Sequence, residues 1–120
     1  MTKLGVGIIG CGNISTSYLG LAPNFKALEV RAVADLNMEA ATARAAEYEG
    51  VRAETVADLL AADDIDLVLN LTIPAAHFAV TKQILEAGKH AYSEKPFVLS
   101  LAEGEELRSL CAKTGLRVGS

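Results

Sequence analysis

Short apolar segments alternate along this chain with longer alanine-rich segments, in which the apolar positions recur at helical spacing. The short segments are nearly continuous runs of Val, Ile, Leu and Ala, which is typical of strands covered on both faces. Strands are predicted at residues 4–9, 28–34, 51–53, 67–71, 90–93 and 116–118, and helices at 13–21, 38–47, 56–61, 75–87 and 101–113. This alternation predicts an α/β fold, a doubly wound parallel sheet of about six strands in a three-layer α/β/α arrangement.

Several predicted helices end or begin at residues that favour those positions. Gly50, Gly88 and Gly115 each follow a helix, where a residue with left-handed backbone conformation is favoured. Ser100 and Glu103 have the spacing of a capping box at the start of the last helix. These signals mark four ends of three predicted helices.

Length and composition predict one ordered globular domain. The chain has 120 residues, of which 51% are hydrophobic and 22% charged, with a formal net charge of −4. Its basic residues are scattered, so we expect neither nucleic-acid binding nor attachment to an anionic membrane. No apolar stretch approaches the roughly 18 residues that a membrane span needs, and we expect a cytoplasmic protein. Because the chain stops directly after the sixth predicted strand, we expect residues 1–120 to be one domain of a longer protein.

The two cysteines, Cys11 and Cys111, do not have the spacing of metal ligands. In a chain with no secretory signal, two thiols are expected to be reduced and to serve packing. We therefore predict no metal site and no disulfide.

The segment Gly10 to Ser15 follows the first predicted strand and opens the first helix. Gly10 permits a tight turn, and Gly12, which has no Cβ, lets the backbone approach a phosphate closely. The N–H groups at the start of the helix, at Asn13 and Ile14, can then bind a pyrophosphate. Ser15 stands where such a motif usually has Gly or Ala, a mild departure. The alternative is an ordinary turn between strand and helix.

Asp35 directly follows the second predicted strand. A ribose-binding carboxylate is expected roughly 20 residues after the glycines, and Asp35 lies close to that position. A carboxylate there can accept hydrogen bonds from the ribose hydroxyls of adenosine and would repel a 2′-phosphate. Leu36 and Asn37, which follow it, offer no cation, so we expect NAD rather than NADP. The alternative is a solvated carboxylate or a cap for the helix that begins at Met38.

Further candidate residues follow the fourth and fifth predicted strands, whose carboxyl ends should meet at the same edge of the sheet. Thr72, Pro74 and His77 lie after the fourth predicted strand and are placed near the nicotinamide, although His77 could also be a surface residue of a first helical turn. His90 begins a strand, and we expect it to be structural.

The fifth predicted strand ends in Ser93, Glu94, Lys95 and Pro96. We predict Lys95 as the catalytic group, because an amine in this crevice can hydrogen-bond a substrate hydroxyl and exchange its proton. Glu94 is placed with the cofactor-binding residues and could orient the Lys95 amine, while Pro96 favours an extended backbone before it. The alternative is a pair of solvated charges.

Taken together, the segments VGIIGCGNIS, AVAD, TIPAAH, EAGKH and EKP resemble the Gfo/Idh/MocA family of oxidoreductases, with Ile73 where many relatives have proline. The resemblance implies an N-terminal Rossmann domain that binds NAD or NADP, in which Lys95 matches the lysine of the family's Glu-Lys-Pro motif. It also implies sugar- or polyol-type substrates and a C-terminal domain that supplies most substrate contacts and commonly the dimer interface. That domain is absent from this chain, so we expect residues 1–120 alone to be inactive.

A non-catalytic module that senses a dinucleotide, or is purely structural, is the competing interpretation. In that case Lys95 would form a surface ion pair with Glu94.

Overall fold

Strands and helices alternate from Leu4 to Gly119 in a computed structural model that describes residues 3–120. The strands are β1 Leu4–Ile9, β2 Leu28–Ala34, β3 Arg52–Glu54, β4 Leu67–Asn70, β5 His90–Ser93 and β6 Val118–Gly119. The helices are α1 Asn13–Leu21, α2 Met38–Ala46, α3 Val56–Ala61, α4 His77–Glu86 and α5 Leu101–Thr114. Short 3-10 turns at Ala22–Asn24 and Pro74–Ala76 complete the order.

All six strands belong to one sheet in the order β3-β2-β1-β4-β5-β6, and every neighbouring pair is parallel. The predicted α/β fold class is confirmed. From β1 the chain moves outward through β2 to β3, then returns to the other side of β1 and moves outward through β4 and β5 to β6. The direction therefore reverses between β1 and β4, which is where open sheets of this kind bind ligands.

The sheet has a hydrophobic core on each face, and successive residues of β1 point into opposite cores. Ile9 packs in a cluster with Leu59 of α3, Ile84 of α4 and Leu107 of α5. Ile8 packs on the opposite face, in a cluster formed with α1 and α2. Burying one such aliphatic side chain stabilises the fold by roughly 1.5–3 kcal/mol. The continuous apolar character of the strands thus reflects a sheet covered on both faces.

The ends of α4 and α5 agree with the signals in the sequence. Gly88 and Gly115 follow these helices with φ angles of 85° and 77°. Gly50, with a φ angle of 80°, lies in a turn beyond the C-cap of α2, which is Glu47. The Ser100 side chain accepts a hydrogen bond from the Glu103 backbone at 3.2 Å, and Glu103 in turn accepts one from the Leu99 N–H.

The last strand and the fourth helix begin later than predicted. β6 starts at Val118 instead of residue 116, because side chains accept from the two preceding N–H groups: Thr114 Oγ1 from Leu116 and His90 Nδ1 from Arg117. α4 starts at His77 instead of residue 75, because Pro74, which fixes φ and lacks an N–H, opens a 3-10 turn first.

Other element ends differ by one residue. β3 is shifted by one residue, β4, α2 and α4 each stop one residue earlier than predicted, and α5 and β6 continue one residue further. Shifts of this size are within the usual fraying of element ends.

No helix in residues 3–120 has the length and apolar character to cross a bilayer.

Candidate active site

The predicted site residues follow the carboxyl ends of four different strands at one edge of the sheet. Gly10 follows β1, Asp35 follows β2, Thr72 follows β4 and Glu94 follows β5. Because these strands are parallel, the turns after them lie side by side around the point where the chain direction reverses. We call this the carboxyl edge and the opposite one the amino edge.

Gly10 is required at its position for two reasons. Its φ angle is 108°, a conformation that residues with a side chain rarely adopt. A Cβ at this position would also lie 2.6 Å from the carbonyl carbon and oxygen of Leu71, in the turn after β4. The glycine thus lets the turns after β1 and β4 pack directly against each other.

Gly12 has the opposite surroundings. It is the N-cap of α1, and a Cβ built on it would have no protein atom within 4 Å. No side chain caps the helix, so the first-turn N–H groups at Asn13 and Ile14 lie beside an open backbone surface. The protein fold does not require glycine there, whereas a ligand that must approach the helix N-terminus closely does.

Ser15 fits the motif because its hydroxyl is used within the helix. The residue is fully buried, and Oγ donates a hydrogen bond of 2.6 Å to the Gly12 carbonyl oxygen. The polar atom is therefore satisfied where the motif usually has Gly or Ala.

Asp35 binds the glycine turn through its carboxylate. The Cys11 N–H donates to Oδ2 at 2.8 Å, and the Asn37 N–H donates to Oδ1 at 2.9 Å. Each carboxylate oxygen keeps a further lone pair for another donor. Asp35 does not cap α2, since the Asn37 side chain accepts the Glu39 N–H instead, so that alternative is wrong.

Arg44 approaches the same turn from α2 and was missed in the sequence. Its Nη2 donates to the Cys11 carbonyl oxygen at 3.3 Å, and Nη1 pairs with Glu47 at 3.1 Å. Its Nε is buried and has no hydrogen-bond partner within residues 3–120. The sequence next to Asp35 does not point to Arg44, which lies two turns into the helix.

The Cys11 side chain is a packing group. It is buried, and its Sγ lies 3.5 Å from the Ala34 carbonyl oxygen. Burial, together with the negative charge of Asp35, raises the pKa of the Cys11 thiol to about 11 despite the opposing effect of Arg44. The thiol is therefore protonated and unreactive at neutral pH.

Asn70, which the sequence analysis did not single out, organises the turn after β4. It is fully buried, and its Oδ1 accepts hydrogen bonds from Thr72 Oγ1 at 2.6 Å and from the Thr72 N–H at 3.3 Å. Its Nδ2 donates to the His77 carbonyl oxygen and to Thr81 Oγ1, both at 2.9 Å. A polar residue that ends an otherwise apolar strand is the signal that could have identified it.

His77 lies behind the crevice surface instead of on it. The residue is 1% exposed, with Nε2 2.7 Å from the Thr72 carbonyl oxygen and Nδ1 2.6 Å from the Pro96 carbonyl oxygen. Both ring nitrogens are therefore occupied by the protein backbone, and His77 is neither a surface residue nor open to a cofactor. Pro74, in the same turn, is exposed.

Lys95 and Glu94 are neighbours that do not pair with each other. Glu94 Oε2 accepts a hydrogen bond from the Tyr18 hydroxyl of α1 at 2.5 Å. Burial, followed by this hydrogen bond and the Glu94 charge, raises the pKa of Tyr18 to about 12. Lys95 is exposed, and within residues 3–120 it forms no ion pair. The surface ion pair of the competing interpretation is therefore not found.

This arrangement fits a dinucleotide. The open surface at Gly12 suits a pyrophosphate on the N-terminus of α1, and the Asp35 carboxylate has acceptor capacity left for ribose hydroxyls. Within residues 3–120, no group of three His, Cys, Asp or Glu side chains is arranged to hold a metal ion.

Comparison with known proteins decides the family. A model of the family described as oxidoreductases with an NAD-binding Rossmann fold matches residues 4–120. The chain belongs to the Gfo/Idh/MocA family. The Rossmann-domain assignment made from the sequence is thereby confirmed, and the matched residues include every predicted site residue.

Individual relatives agree with this family. The chain is 34% identical over 108 residues to UDP-N-acetylglucosamine 3-dehydrogenase of Acidithiobacillus ferrooxidans, covering 89% of this chain and 33% of that protein. It is similar to GenD2 of gentamicin A biosynthesis, solved with NAD, with a TM-score of 0.92 and 25% identity; the match covers 100% of this chain and 35% of GenD2. It is also similar to the 3-ketoreductase KijD10 of Actinomadura kijaniata, solved with NADP and TDP-benzene, with a TM-score of 0.87 and 30% identity. This match covers 96% of this chain and 36% of KijD10.

The chain therefore spans about a third of the length of these relatives. Residues 4–120 form an NAD(P)-binding domain of an oxidoreductase family. Because the similar structures include an NAD complex and an NADP complex, the family alone does not choose between the two cofactors.

Proposed function

We propose that this chain is the cofactor-binding part of an oxidoreductase that transfers hydride between a nicotinamide dinucleotide and a hydroxyl of a sugar or polyol. The observation that carries the proposal is the arrangement of three features at the carboxyl edge: the open turn at Gly12, the Asp35 carboxylate and the exposed Lys95. The turn at Gly12 would bind the pyrophosphate, Asp35 the ribose and Lys95 the reacting hydroxyl.

The pyrophosphate would bind at the start of α1. Gly12 leaves the backbone open, and the first-turn N–H groups at Asn13 and Ile14 can donate to phosphate oxygens. Gly10 contributes indirectly, because it allows the glycine turn to pack against the Leu71 backbone.

The ribose end favours NAD over NADP in this proposal. Asp35 is fixed by two backbone N–H groups, and its carboxylate would lie where a 2′-phosphate would have to bind. Arg44, which approaches the same turn from α2, is already bound to the Cys11 carbonyl and to Glu47. A 2′-phosphate would thus meet a carboxylate, while the guanidinium group that reaches this turn binds the protein.

The bound dinucleotide would supply the hydride acceptor or donor, and the chain's own residues would position the substrate hydroxyl. Lys95 can donate a hydrogen bond to the hydroxyl oxygen and exchange a proton with it as hydride moves to or from the same carbon. Thr72 and Pro74 shape the nicotinamide side of the crevice. Glu94, held by Tyr18, leaves the Lys95 amine available to the substrate.

The substrate class is proposed from the relatives, one of which acts on UDP-N-acetylglucosamine. Since this chain spans only 33% of that protein, we propose that a second domain supplies most substrate contacts and any oligomer interface.

The test compares two lysines in the full-length protein. Lys95→Met should lower turnover of NAD with UDP-N-acetylglucosamine or myo-inositol by about a thousandfold, because the proton-exchanging group is lost, while NADH affinity stays unchanged. Lys89→Met is the matched control. The Lys89 amine is buried at the amino edge and donates to the Ala62 and Ile65 carbonyls, both at 2.7 Å.

The control should lower the free energy of unfolding by about 1–3 kcal/mol, because two buried carbonyls lose their donor, and should leave turnover per folded molecule intact. Steady-state kinetics and urea denaturation measure the two effects. Unchanged turnover in Lys95→Met would remove Lys95 from the mechanism and favour a sensing module.

A further inference from the structure

The segment 95–98, which carries Lys95, makes one hydrogen bond to the rest of the described fold. Within residues 3–120, its only hydrogen bond joins the Pro96 carbonyl oxygen to His77 Nδ1. Just before it, the Glu94 N–H still donates to the Asn70 carbonyl as a continuation of the sheet. Phe97 and Val98 also pack against the core, so within the described residues the His77 ring is the polar contact that fixes the segment beyond Glu94.

The other side of the His77 ring is fixed firmly. Nε2 contacts the Thr72 carbonyl oxygen, and Thr72 is itself held by two hydrogen bonds to Asn70 Oδ1. Asn70 also donates to the His77 carbonyl oxygen, so the ring is mounted on the buried end of β4. The ring consequently transmits the position of the turn after β4 to the segment after β5.

The two contacts determine which ring nitrogens must carry a hydrogen for His77 to hydrogen-bond both the Thr72 and the Pro96 carbonyl oxygens. Carbonyl oxygens only accept hydrogen bonds, and a neutral imidazole has one N–H donor. Both contacts are hydrogen bonds only when each ring nitrogen carries a hydrogen. In a neutral ring, one short contact would bring two acceptors together.

We propose that His77 is a positioning residue that holds the Lys95 segment against the turn after β4 through two donated hydrogen bonds. The role of the fixed segment rests on the proposed function, since it sets the distance between Lys95 and the nicotinamide side of the crevice. The residue acts from behind the site and does not touch cofactor or substrate.

The hydrogen bonds themselves are tested by ¹⁵N NMR of the histidine rings in the wild-type protein. Long-range ¹H–¹⁵N spectra distinguish a nitrogen that carries hydrogen from one that does not. The proposed arrangement requires a hydrogen on both nitrogens of His77, because each contacts a carbonyl oxygen. A hydrogen-free nitrogen on either side of the ring would overturn the two-bond arrangement, whatever ligand the protein binds.

The positioning role is tested by binding NADH and ADP-ribose, which share every part except the nicotinamide ring. His77→Phe removes the contact with the Thr72 carbonyl oxygen and so loosens the turn after β4, which shapes the nicotinamide side of the crevice. It should weaken NADH binding by about tenfold and leave ADP-ribose binding unchanged. The matched control is His90→Phe at the amino edge, where the ring accepts one hydrogen bond from the Arg117 N–H. It should change neither affinity.

His77→Gln retains one donor group, so its affinity for NADH should lie between those of the wild type and His77→Phe. It also serves as the test variant if His77→Phe does not fold. Equal weakening of NADH and ADP-ribose in the His77 variants would overturn the positioning role, because a general loss of structure has that effect. Failure of the wild type to bind either ligand would instead sink the proposed function, while the NMR result would still judge the two hydrogen bonds.

Discussion

The two edges of the sheet use the same residue types in different ways. At the amino edge, the Asp66 carboxylate accepts the Gly5 N–H at 2.8 Å, and the buried Lys89 amine binds two carbonyls. At the carboxyl edge, the Asp35 carboxylate accepts the Cys11 N–H at the same distance, but Lys95 is exposed and has no ion-pair partner within residues 3–120.

The difference separates structural from ligand-binding chemistry. The Lys89 ammonium satisfies carbonyls at the end of α3 and before β4, so burial of its charge is compensated within the fold. The carboxyl edge leaves a lysine and the helix start at Gly12 open to solvent. A residue type therefore says little about function until the number of its internal partners is known.

Glycine substitutions give the largest expected contrast between the edges. A Cβ on Gly5 would lie 1.8 Å from the Asp64 carbonyl oxygen, so Gly5→Ala should cost more than about 3 kcal/mol of unfolding free energy or abolish folding. Gly12→Ala should change stability by less than about 1 kcal/mol, since its Cβ meets no protein atom, but should weaken NADH binding by about tenfold. Urea denaturation and NADH fluorescence titration measure both.

Gly20→Ala controls for the added methyl group, because Gly20 also has no protein atom near its Cβ position but lies at the far end of α1. It should leave NADH affinity unchanged. Normal NADH binding by Gly12→Ala would mean that the pyrophosphate does not approach that turn.

The two aspartates give the next contrast. Asp35→Asn keeps the shape and one acceptor oxygen but removes the charge, so the preference for NADH over NADPH should fall by about tenfold. Asp66→Asn makes the same change at the amino edge and should leave the preference unchanged. Calorimetric titration of each variant with both dinucleotides measures the ratio. If the wild type binds NADPH as tightly as NADH, Asp35 is not the specificity residue.

Tyr18 gives the smallest effect, at high pH. Its pKa in the folded protein is raised from 10.0 to about 12, so its contribution to stability is fully present below pH 10. As pH rises from 10 to 12, the unfolded chain loses the tyrosine proton while the folded protein keeps it, and the contribution disappears. The difference in unfolding free energy between wild type and Tyr18→Phe should therefore narrow over that range.

Guanidinium denaturation at a series of pH values measures this difference. The buried Cys11 thiol, whose pKa is also raised, titrates nearby but is present in both proteins and cancels. A difference that stays constant from pH 9 to 12 would show that Tyr18 is not held by Glu94 in solution.

The fold was predictable because its signals are local. Continuous apolar runs locate the buried strands, and Gly88 and Gly115 mark helix ends through their own backbone conformation. The residues Gly10, Asp35 and Lys95 could be placed at one edge because parallel strands bring their carboxyl ends together.

The parts that were missed depend on contacts between distant residues. The sequence does not reveal that Tyr18 takes Glu94 away from Lys95, or that the rings of His77 and His90 are used in different ways. β6 was placed too early because its start depends on Thr114 and His90 accepting hydrogen bonds from the preceding backbone. Such contacts follow from packing, which a single sequence does not display.

The hydrogen bond between the Cys11 N–H and Asp35 links cofactor choice to the order of the glycine turn. A lineage or an engineer that replaces Asp35 with a small or basic residue to admit a 2′-phosphate also removes the acceptor for that N–H. The turn proposed to bind the pyrophosphate would then lose one of its anchors. A change of cofactor in this protein therefore calls for at least two substitutions, one for the new phosphate and one to restrain the turn again.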